Sequence, residues 1–478
     1  MAVVFGRFDS IHDGHRRLLY FARTRAEKLI IGLFSDDYPG VNAQTPQHLR
    51  MQNCASVDVV DEVIVVSKPI SLAILDIRPD LVVKGAEFKN QYNPEQEAIE
   101  SVGGQLVFAP GQYLLPSTRS ELRIQDFYID DRIQSHVVSY CTKYCISREA
   151  LFDLIDNFRS LNIGVFGDVI VDEYMSTRIE GISSEDGTTS LKPLGTNSYL
   201  GGAAASLQHA NELSNKAFFW SSIGGDEKGQ LVKDRLNDLS IQSFLEVDDE
   251  RVTPTKTRIQ YDEKSLLRIN DFTEGNVDPS VIDKLLSSIS EHICQLDLMF
   301  LCDFSFGIFS ANVAERILEI CQSNDVFVAA DSQTSSRAGD IRIFKSANFM
   351  APTELEARKA VEQSDLGLVA LSNEIRDVLD LQHLMLTLGE AGILMHQCDG
   401  NRVWTDEIPA LNTKSVDVSG AGDSFLSVAA MSLVCGGSEQ EAALLGSFAA
   451  AIQVSRQGNR AVTQTDLRAL IDLFLDRH

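Results

Sequence analysis

Two histidines, His12 and His15, follow an apolar run at the start of the chain. The run predicts a strand over Ala2–Gly6, and the amphipathic spacing after it predicts a helix near residues 15–27. A turn from strand to helix directs backbone N–H groups and the helix dipole towards an anion, and Gly14 lets a phosphate approach the backbone closely. Two imidazoles at this spacing could contact one triphosphate and stabilise charge on a pentacovalent phosphorus. The alternative is a pair of surface histidines at a turn.

Small residues precede a carboxylate in residues 417–425, which read DVSGAGDSF. Gly420, Ala421 and Gly422 expose consecutive N–H groups at the start of an apolar helix, an arrangement that forms an anion hole for a phosphoryl group. Asp423 follows directly, and a carboxylate there can accept the proton of an attacking hydroxyl. The alternative is an ordinary glycine-rich helix cap.

Strands and helices alternate along both halves of the chain, which predicts α/β folds with parallel sheets and covering helices. The first unit ends near residue 125, and the second runs from 161 to 478. Residues 126–160 contain no Gly or Pro and carry apolar residues at helical spacing, which predicts a helical connector that packs on either neighbour. The β-rich stretch 241–270 predicts a small, lid-like sheet. Strands are predicted at residues 2–6, 28–34, 62–66, 80–84, 105–109, 162–166, 217–221, 298–302, 326–331 and 383–388.

The composition excludes several classes of protein. A chain of 478 residues with 44% hydrophobic residues is too long for one core, so two or three domains are expected. Lys and Arg number 42 against 68 Asp and Glu, and a net charge of −26 disfavours nucleic-acid binding, although a local basic pocket for a phosphorylated molecule is allowed. No apolar run reaches the roughly 18–20 residues that span a bilayer, and no signal peptide is evident. The eight scattered cysteines predict reduced thiols in the cytoplasm.

The first unit resembles the nucleotidyltransferase superfamily with the GxFDxxHxGH signature. Residues 6–15 read GRFDSIHDGH, and the motifs TPQHLRM at 45–51 and PDLVVKG at 79–85 follow in the order expected for the nucleotidyltransferase half of bifunctional heptose-phosphate kinase/nucleotidyltransferases. The resemblance implies that His12 and His15 stabilise the transferring α-phosphate. It implies a nucleotide-binding set of Gly6, Phe8, Asp9, Arg50, Lys84, Gly85, Ser117 and Thr118, in which Arg50, Ser117 and Thr118 hold the triphosphate.

The second unit resembles the ribokinase-like carbohydrate kinases. DVSGAGDSF matches the signature of that family, and GDVIVDEY at 167–174, GGAA at 201–204 and TLGEAG at 387–392 agree with it. The resemblance implies that Asp423 is the base and that Gly420, Ala421 and Gly422 form the anion hole. On the sugar side it implies Asp168, Asp172, Gly201, Gly202, Arg268 and Asp303. Beside ATP it implies Thr387 and Gly389, with Glu356 as the Mg²⁺-linked glutamate.

Several positions depart from these families. The loop 35–49 contains no Lys or Arg, although relatives carry lysines there. Thr353 and Ala205 stand where asparagines are usual, and Phe306 stands where a lysine is usual. Lost polar partners in the second unit predict an altered sugar or phosphate position rather than an inactive kinase. In the first unit, positive charge would have to come from Arg16, Arg17, Arg50, Arg119 or Mg²⁺.

Together these patterns predict two α/β domains: an N-terminal Rossmann-like nucleotidyltransferase and a C-terminal ribokinase-like kinase with a small β lid. The resemblance is to the bifunctional heptose-phosphate enzymes, with the order of the domains reversed. It implies a cytoplasmic homodimer that uses Mg²⁺ and ATP, with ATP or CTP in the first unit, to phosphorylate a sugar or sugar phosphate and to transfer a nucleotidyl group. Two alternatives remain: a kinase with a degraded, regulatory first unit, and a non-catalytic metabolite-binding scaffold.

Overall fold

The computed structural model describes the chain except for residues 10–12, 24, 27, 39–44, 56, 58, 86–92, 94, 110–129, 183–186, 240, 262–263, 334–338, 364, 400–401, 413–414, 457 and 476–478. His12, Ser117 and Thr118 therefore lie outside the described residues. The chain forms two compact units, residues 1–120 and 121–478. No helix among the described residues is long and apolar enough to cross a membrane.

The first unit is a five-stranded sheet covered by helices. Its strands pair in the order β3-β2-β1-β4-β5, and all four pairings are parallel. The strands are rich in buried Val, Ile and Leu, as expected when helices cover both faces of a parallel sheet. Its elements are β1 (Ala2–Gly6), α1 (Asp13–Arg23), β2 (Leu29–Phe34), α2 (Gln47–Ala55), β3 (Glu62–Val66), α3 (Ile70–Ile77), β4 (Leu81–Gly85), α4 (Glu95–Ser101) and β5 (Gln105–Ala109).

The second unit contains a nine-stranded sheet and a separate four-stranded sheet. Its strands are β6 (Asn162–Gly167), β7 (Val169–Ile182), β8 (Thr189–Gly202), β9 (Lys216–Gly224), β10 (Gln242–Asp248), β11 (Thr255–Tyr261), β12 (Lys264–Asp271), β13 (Leu298–Asp303), β14 (Phe327–Ser332), β15 (Phe349–Met350), β16 (His383–Thr387), β17 (Ile393–Asp399) and β18 (Arg402–Ile408). Its helices are α5 (Asp131–Tyr144), α6 (Arg148–Asn157), α7 (Ala203–Leu213), α8 (Glu227–Asp238), α9 (Pro279–His292), α10 (Ala311–Gln322), α11 (Glu354–Val361), α12 (Leu368–Leu379), α13 (Ala421–Val434), α14 (Glu439–Val454) and α15 (Gln464–Leu475).

The large sheet runs β10-β9-β6-β13-β14-β15-β16-β17-β18 and is parallel except at the β16–β17–β18 edge. The predicted α/β architecture is confirmed, and each predicted strand is present within a few residues of its expected bounds. The antiparallel edge strands β17 and β18 were not predicted. Parallel strands need a long crossover, usually a helix, and the alternation of strands and helices in the sequence therefore indicates them. Antiparallel strands can be joined by a tight turn alone, so β17 and β18 leave no such alternation.

The small sheet, here called the lid, pairs in the order β12-β11-β7-β8. The sequence predicted a lid within residues 241–270, and β11 and β12 lie there. The prediction was wrong for β10, which joins the large sheet, and it omitted β7 and β8, which form a long antiparallel hairpin. Strand β8 is rich in exposed polar residues. The alternation of apolar and polar residues that indicates a strand in a sequence is therefore weak there.

Helices α5 and α6, from the stretch predicted as a connector, pack into the second unit. Val137, Leu151 and Ile155 belong to its main hydrophobic core. The Gln134 side chain donates to the carbonyl oxygen of Phe474 at 3.1 Å, and the Tyr144 hydroxyl donates to Asp406 at 2.6 Å. These two helices are therefore part of the body that carries the large sheet.

Candidate active sites

In the first unit, several of the predicted nucleotide-binding residues that the structure describes lie where the strand order reverses. From β1 the chain proceeds outwards through β2 and β3, and then β4 pairs on the other side of β1. The carboxyl ends of β1 and β4 lie at one edge of the sheet because Ala2 pairs in parallel with Leu81. Such a reversal opens a crevice outside the strand ends, where open α/β sheets bind ligands. Gly6 and Gly85 end these two strands.

Phe8 shapes the turn after β1. It has a left-handed backbone with φ of 49° and is only 2% exposed. Its ring packs against the His15 imidazole with centroids 4.8 Å apart, and a Cβ at Gly6 would come within 2.8 Å of the same ring. Gly6, Phe8 and His15 thus form one packed group at the crevice. Asp9 accepts from the Thr45 N–H at 3.3 Å and pairs with Arg7 at 2.7 Å, which ties the turn to the start of α2.

Arg50, which the sequence predicts to hold the triphosphate, is buried and hydrogen-bonded to neighbouring loops. Its side chain is 0% exposed. Nε donates to the carbonyl oxygen of Thr45 at 2.9 Å, and the terminal nitrogens donate to the Arg7 carbonyl at 2.5 Å and to Asp36 at 2.6 Å. This hydrogen bond lowers the pKa of Asp36. Arg50 joins the loops around the crevice, and a phosphate would have to displace these partners.

Lys84 and Gly85 lie at the end of β4. The Lys84 ammonium pairs with Glu95 at 2.9 Å, and Glu95 is 3% exposed. Lys84 is therefore held beside the crevice by a buried carboxylate on α4.

In the second unit, the strand order reverses between β6 and β13. These strands pair in parallel with Cys302 opposite Gly167, so Asp168 and Asp303 follow at the same edge of the sheet. Both oxygens of Asp168 accept from the backbone: the N–H groups of Phe304, Phe306 and Ile308 lie at 3.0, 3.2 and 3.2 Å. Burial, with a smaller effect of Asp303, raises the pKa of Asp168. Asp168 holds the loop after β13, and Asp303 accepts from the Ser332 hydroxyl at 2.8 Å.

Helix α13 begins at the glycine-rich segment and carries Asp423 in its first turn. Gly420 precedes the helix with φ of +77°, and the Ala421 N–H makes only a long 3.4 Å bond to the Val418 carbonyl. A Cβ on Gly422 would meet no atom within 4 Å, so open space lies beside this first turn of the helix. A helix N-terminus beside open space is suited to an anion.

Asp423 is 7% exposed, and burial raises its pKa to about 6, although Lys256 opposes this shift. Ser206 donates to its Oδ1 at 3.5 Å. A carboxylate with a pKa near neutrality is suited to general base catalysis because it is ionised at pH 7 and still accepts a proton readily.

The lid brings the other predicted sugar-side residues together. Asp172 on β7 pairs with Arg258 on β11 at 2.6 Å. Gly201 lies directly against the Asp172 carboxylate, where any Cβ would collide with it, and Gly202 has a φ of +62°. Arg268 on β12 lies opposite Arg258 across the strand pair. The inner face of the lid is therefore strongly basic.

Lys256 is a site residue that sequence reasoning missed. It is 7% exposed, lies in register with Asp172, and points over the rings of Phe304 and Phe306 at 5.5 and 5.4 Å. Burial lowers its pKa, and the Asp172 and Asp423 carboxylates oppose that shift. A cation from the lid thus lies over Phe306, the position where relatives carry a lysine. Its signal was the alternation of Lys256 and Arg258 on one strand face.

The predicted ATP-side residues meet at the end of β16. Thr387 bridges to Thr353, which caps α11 by accepting from the Glu356 N–H, while Glu356 accepts from the Thr353 N–H at 2.9 Å. Thr353 thus forms a capping box with Glu356 at the position where relatives usually have an asparagine. Gly389 has φ of +60° and faces open space. Burial and the neighbouring Glu356 and Asp423 raise the pKa of Asp331.

The family model of the pfkB family carbohydrate kinases matches residues 163–466. The chain belongs to this family. A second model, cytidylyltransferase-like, matches residues 3–121. These matches agree with the two predicted halves.

Similar curated proteins are named bifunctional protein HldE. That of Desulfatibacillum aliphaticivorans is 28% identical over 316 residues, and that of Geotalea uraniireducens is 26% identical over 330 residues. The matches cover 65% and 68% of this chain and 63% and 66% of the relatives, so they span slightly less than two thirds of the relatives' length.

Solved structures show the same fold in the second unit. Phosphofructokinase-2 from Escherichia coli in complex with potassium has a TM-score of 0.54 at 15% identity and covers 66% of this chain and 99% of its own. Ribokinase from Thermotoga maritima has a TM-score of 0.50 at 20% identity and covers 66% of this chain and all of its own.

Proposed function

We propose that the second unit transfers the γ-phosphate of ATP to a hydroxyl of a sugar or sugar phosphate. The observation that carries this proposal is the placement of Asp423, buried in the first turn of α13 behind Gly420, Ala421 and Gly422, with a pKa raised to about 6. Asp423 takes the proton of the attacking hydroxyl, and the adjacent N–H groups stabilise the charge on the transferring phosphoryl group. Asp172 orients the sugar.

The basic inner face of the lid supports a phosphorylated sugar as the acceptor. Lys256, Arg258 and Arg268 lie on neighbouring strands of one face, and only Arg258 is paired directly with Asp172. Cations so arranged are suited to bind a phosphate by charge-assisted hydrogen bonds. The resemblance implies a heptose 7-phosphate-like sugar, and Ala205 and Phe306 alter the surroundings of its hydroxyls or phosphate.

The acidic side of the cleft fits Mg²⁺. Glu356 is buried, and its charge adds to the effect of burial in raising the pKa of the neighbouring Asp331, an electrostatic cost that a cation would relieve. Among the described residues, no three His, Cys, Asp or Glu side chains converge to hold a metal by themselves. Mg²⁺ commonly binds through one or two carboxylates together with phosphates and water, so Asp331 and Glu356 would hold it with ATP, whose phosphate charge it neutralises.

For the first unit, we propose nucleotidyl transfer. An oxygen of a sugar phosphate attacks the α-phosphate of ATP or CTP, pyrophosphate leaves, and His12 and His15 stabilise the charge on phosphorus. The packed group of Gly6, Phe8 and His15 at the reversal of strand order supports this role. Lys84 and Gly85 lie beside the nucleotide.

A second candidate is a first unit that binds a nucleotide without transferring it. The buried guanidinium of Arg50 favours it because this cation is already bonded to Thr45, Arg7 and Asp36. The loop 35–49 supplies no cation in its place. A triphosphate that loses pyrophosphate needs positive charge to stabilise the leaving group.

A turnover assay that reads ADP and pyrophosphate separately tests both proposals. Full-length protein is given Mg²⁺, ATP or CTP, and a panel of sugars, sugar 7-phosphates and sugar 1-phosphates. Release of both products supports the bifunctional enzyme, and release of ADP alone supports the second candidate. No release of either product with any substrate contradicts the proposed catalysis and favours a non-catalytic scaffold.

We also propose that the protein works as a homodimer in the cytoplasm. Leu267 and Ile269 are 57% and 48% exposed and pair with Ile259 and Thr257, on the lid face opposite Lys256. Exposed apolar residues on one sheet face are typical of an interface. Light scattering after chromatography tests this: the wild type should be a dimer and Leu267→Asp a monomer, and a monomeric wild type would contradict it.

The cysteines with described side chains are all free, which supports a reducing compartment.

A further inference from the structure

Gln453 is a buried polar residue behind the anion hole. It lies near the end of α14, is 0% exposed, and its Nε2 donates to the carbonyl oxygens of Ser419 at 3.2 Å and of Gly458 at 2.9 Å. Both acceptors are carbonyls, so the orientation of the amide is fixed: a flipped amide would place its oxygen against two acceptors. Gln453 thus joins the segment before α13 to the segment after α14.

Asp417 holds the same two peptide segments from the other side. Its Oδ1 accepts from the Ser419 N–H at 3.0 Å, and its Oδ2 accepts from the Gly458 N–H at 3.2 Å. Ser419 and Gly458 each make two hydrogen bonds in this arrangement. Their N–H groups donate to the Asp417 carboxylate, and their carbonyl oxygens accept from the Gln453 amide. We call this arrangement the Asp417–Gln453 clamp.

The clamp is directly connected to the anion hole and to the lid. Ser419 precedes Gly420, whose φ of +77° sets the direction of the first N–H groups of α13. The Asn459 Oδ1 lies so near that a Cβ on Gly420 would come within 2.5 Å of it. The Tyr174 hydroxyl on lid strand β7 donates to Asp417 at 3.2 Å. A shift of residue 458 would therefore displace Asn459 against Gly420.

The Gln453 amide carries a cost in stability beside the two hydrogen bonds that it donates. Its Oε1 is buried and has no hydrogen-bond partner among the described residues. Burying an acceptor without a partner is unfavourable, and this cost is set against the two hydrogen bonds that the amide donates. A group that is retained at a cost to stability suggests a functional role.

We propose that Gln453 is a positioning residue for phosphoryl transfer, which holds Ser419 and Gly458 so that the N–H groups at 420–422 point at the transferring phosphoryl group. This inference rests on the proposed kinase function. Gln453 touches no substrate, and it acts on kcat through the backbone of the anion hole. Misplacing a catalytic group by about 1 Å can reduce a rate about 100-fold.

The test compares three variants of the full-length protein. Gln453→Met keeps the length of the side chain and removes both donors, and Gln453→Lys restores a donor that reaches the two carbonyls. Gln440→Met makes the same substitution at a half-buried glutamine near the start of the same helix. We expect Gln453→Met to lower kcat for ADP release about 10- to 100-fold with KM values within about threefold. Gln453→Met should remain folded at the assay temperature, Gln453→Lys should recover most of kcat, and Gln440→Met should match the wild type.

Two results would overturn the inference. One is a Gln453→Met enzyme with the kcat of the wild type, and the other is a kcat loss that follows a lower Tm and that Gln453→Lys does not reverse. Amide hydrogen exchange at Ser419 and Gly458 separates this inference from the proposed function, because it needs no turnover. Faster exchange at both amides in Gln453→Met supports the clamp, and unchanged exchange contradicts it. Absence of ADP release from the wild type would contradict the kinase proposal instead.

Discussion

At the scale of single residues, the proposed kinase chemistry depends on a carboxylate, Asp423, whose pKa is raised by its surroundings. Burial in the first turn of α13 disfavours the charged form of Asp423, while Lys256 favours it. Burial is the larger effect, so the pKa rises to about 6. The helix N-terminus in the same place favours negative charge, which suits both the carboxylate and the transferring phosphoryl group.

This pKa predicts how activity depends on pH. Asp423 accepts a proton only when it is ionised, so kcat/KM for ADP release should fall as the pH drops through about 6 and level off above about 7. The measurement is a pH–rate profile of full-length protein from pH 5 to 9, with stability checked at each pH. A profile that stays flat from pH 5 to 8 would contradict the role of Asp423 as the base.

The sequence could predict the residues that act within one short segment. Asp423 directly follows Gly420, Ala421 and Gly422, and Gly6, Phe8 and His15 lie within ten residues, so local spacing was sufficient to propose both groups. Lys256, Gln453 and the buried state of Arg50 could not be predicted, because each depends on at least one partner more than 30 residues away along the chain. Lys256, for example, meets Asp172 only through the register of β11 on β7.

At the scale of elements, the lid is a sheet with two chemically different faces. Asp172, Lys256 and Arg258 lie on the inner face, and Leu267 and Ile269 lie on the outer face. This difference follows from the period of two in a strand, in which successive side chains point to opposite faces. The lid therefore presents charged side chains on one face and an apolar surface on the other.

The inner face predicts a substrate-binding role for Lys256. Replacing it in Lys256→Met should raise KM for a phosphorylated sugar about 10- to 100-fold, because a hydrogen bond between two charged groups is lost. Lys192→Met is the matched control, since Lys192 lies on β8 of the same lid and its side chain is 56% exposed. Initial-rate kinetics on both variants decide the matter. Equal KM values in Lys256→Met and the control would show that Lys256 does not bind the substrate.

Helices α5 and α6 are structural elements of the kinase unit. Leu151 on α6 is 0% exposed within the main core, so Leu151→Ala should lower the free energy of unfolding of this unit by about 2–5 kcal/mol. Asp153→Ala changes an exposed residue on the same helix and should have little effect. Urea denaturation curves, in which ADP release reports the folded fraction, measure the stability of both variants. Equal midpoints for the two variants would mean that α6 is dispensable to the unit.

Hydrophobic patterning predicted these helices but not where they pack. Apolar spacing in α5 and α6 shows one buried face, which either neighbour could cover. In the structure, α5 contacts α15 and β18. Gln134 donates to the Phe474 carbonyl on α15, and Tyr144 donates to Asp406 on β18. Such contacts bridge more than 260 residues of sequence, beyond the reach of local patterns.

At the scale of the whole molecule, two α/β units each place their candidate site where the strand order reverses. The reversal lies between β1 and β4 in the first unit and between β6 and β13 in the second. We propose that the first unit releases pyrophosphate and that the second unit releases ADP. Because each unit has its own core, loss of one activity should leave the other intact.

The most direct test is to measure the rate of ADP release by the Asp423→Asn variant at saturating ATP and sugar phosphate and pH 7.5. The substitution keeps the shape of the side chain and removes the proton acceptor, so kcat should fall about 100- to 10,000-fold. Pyrophosphate release from the same sample serves as the internal control and should not change. ADP release within about threefold of the wild type, with the protein folded, would contradict the assignment of Asp423 as the base.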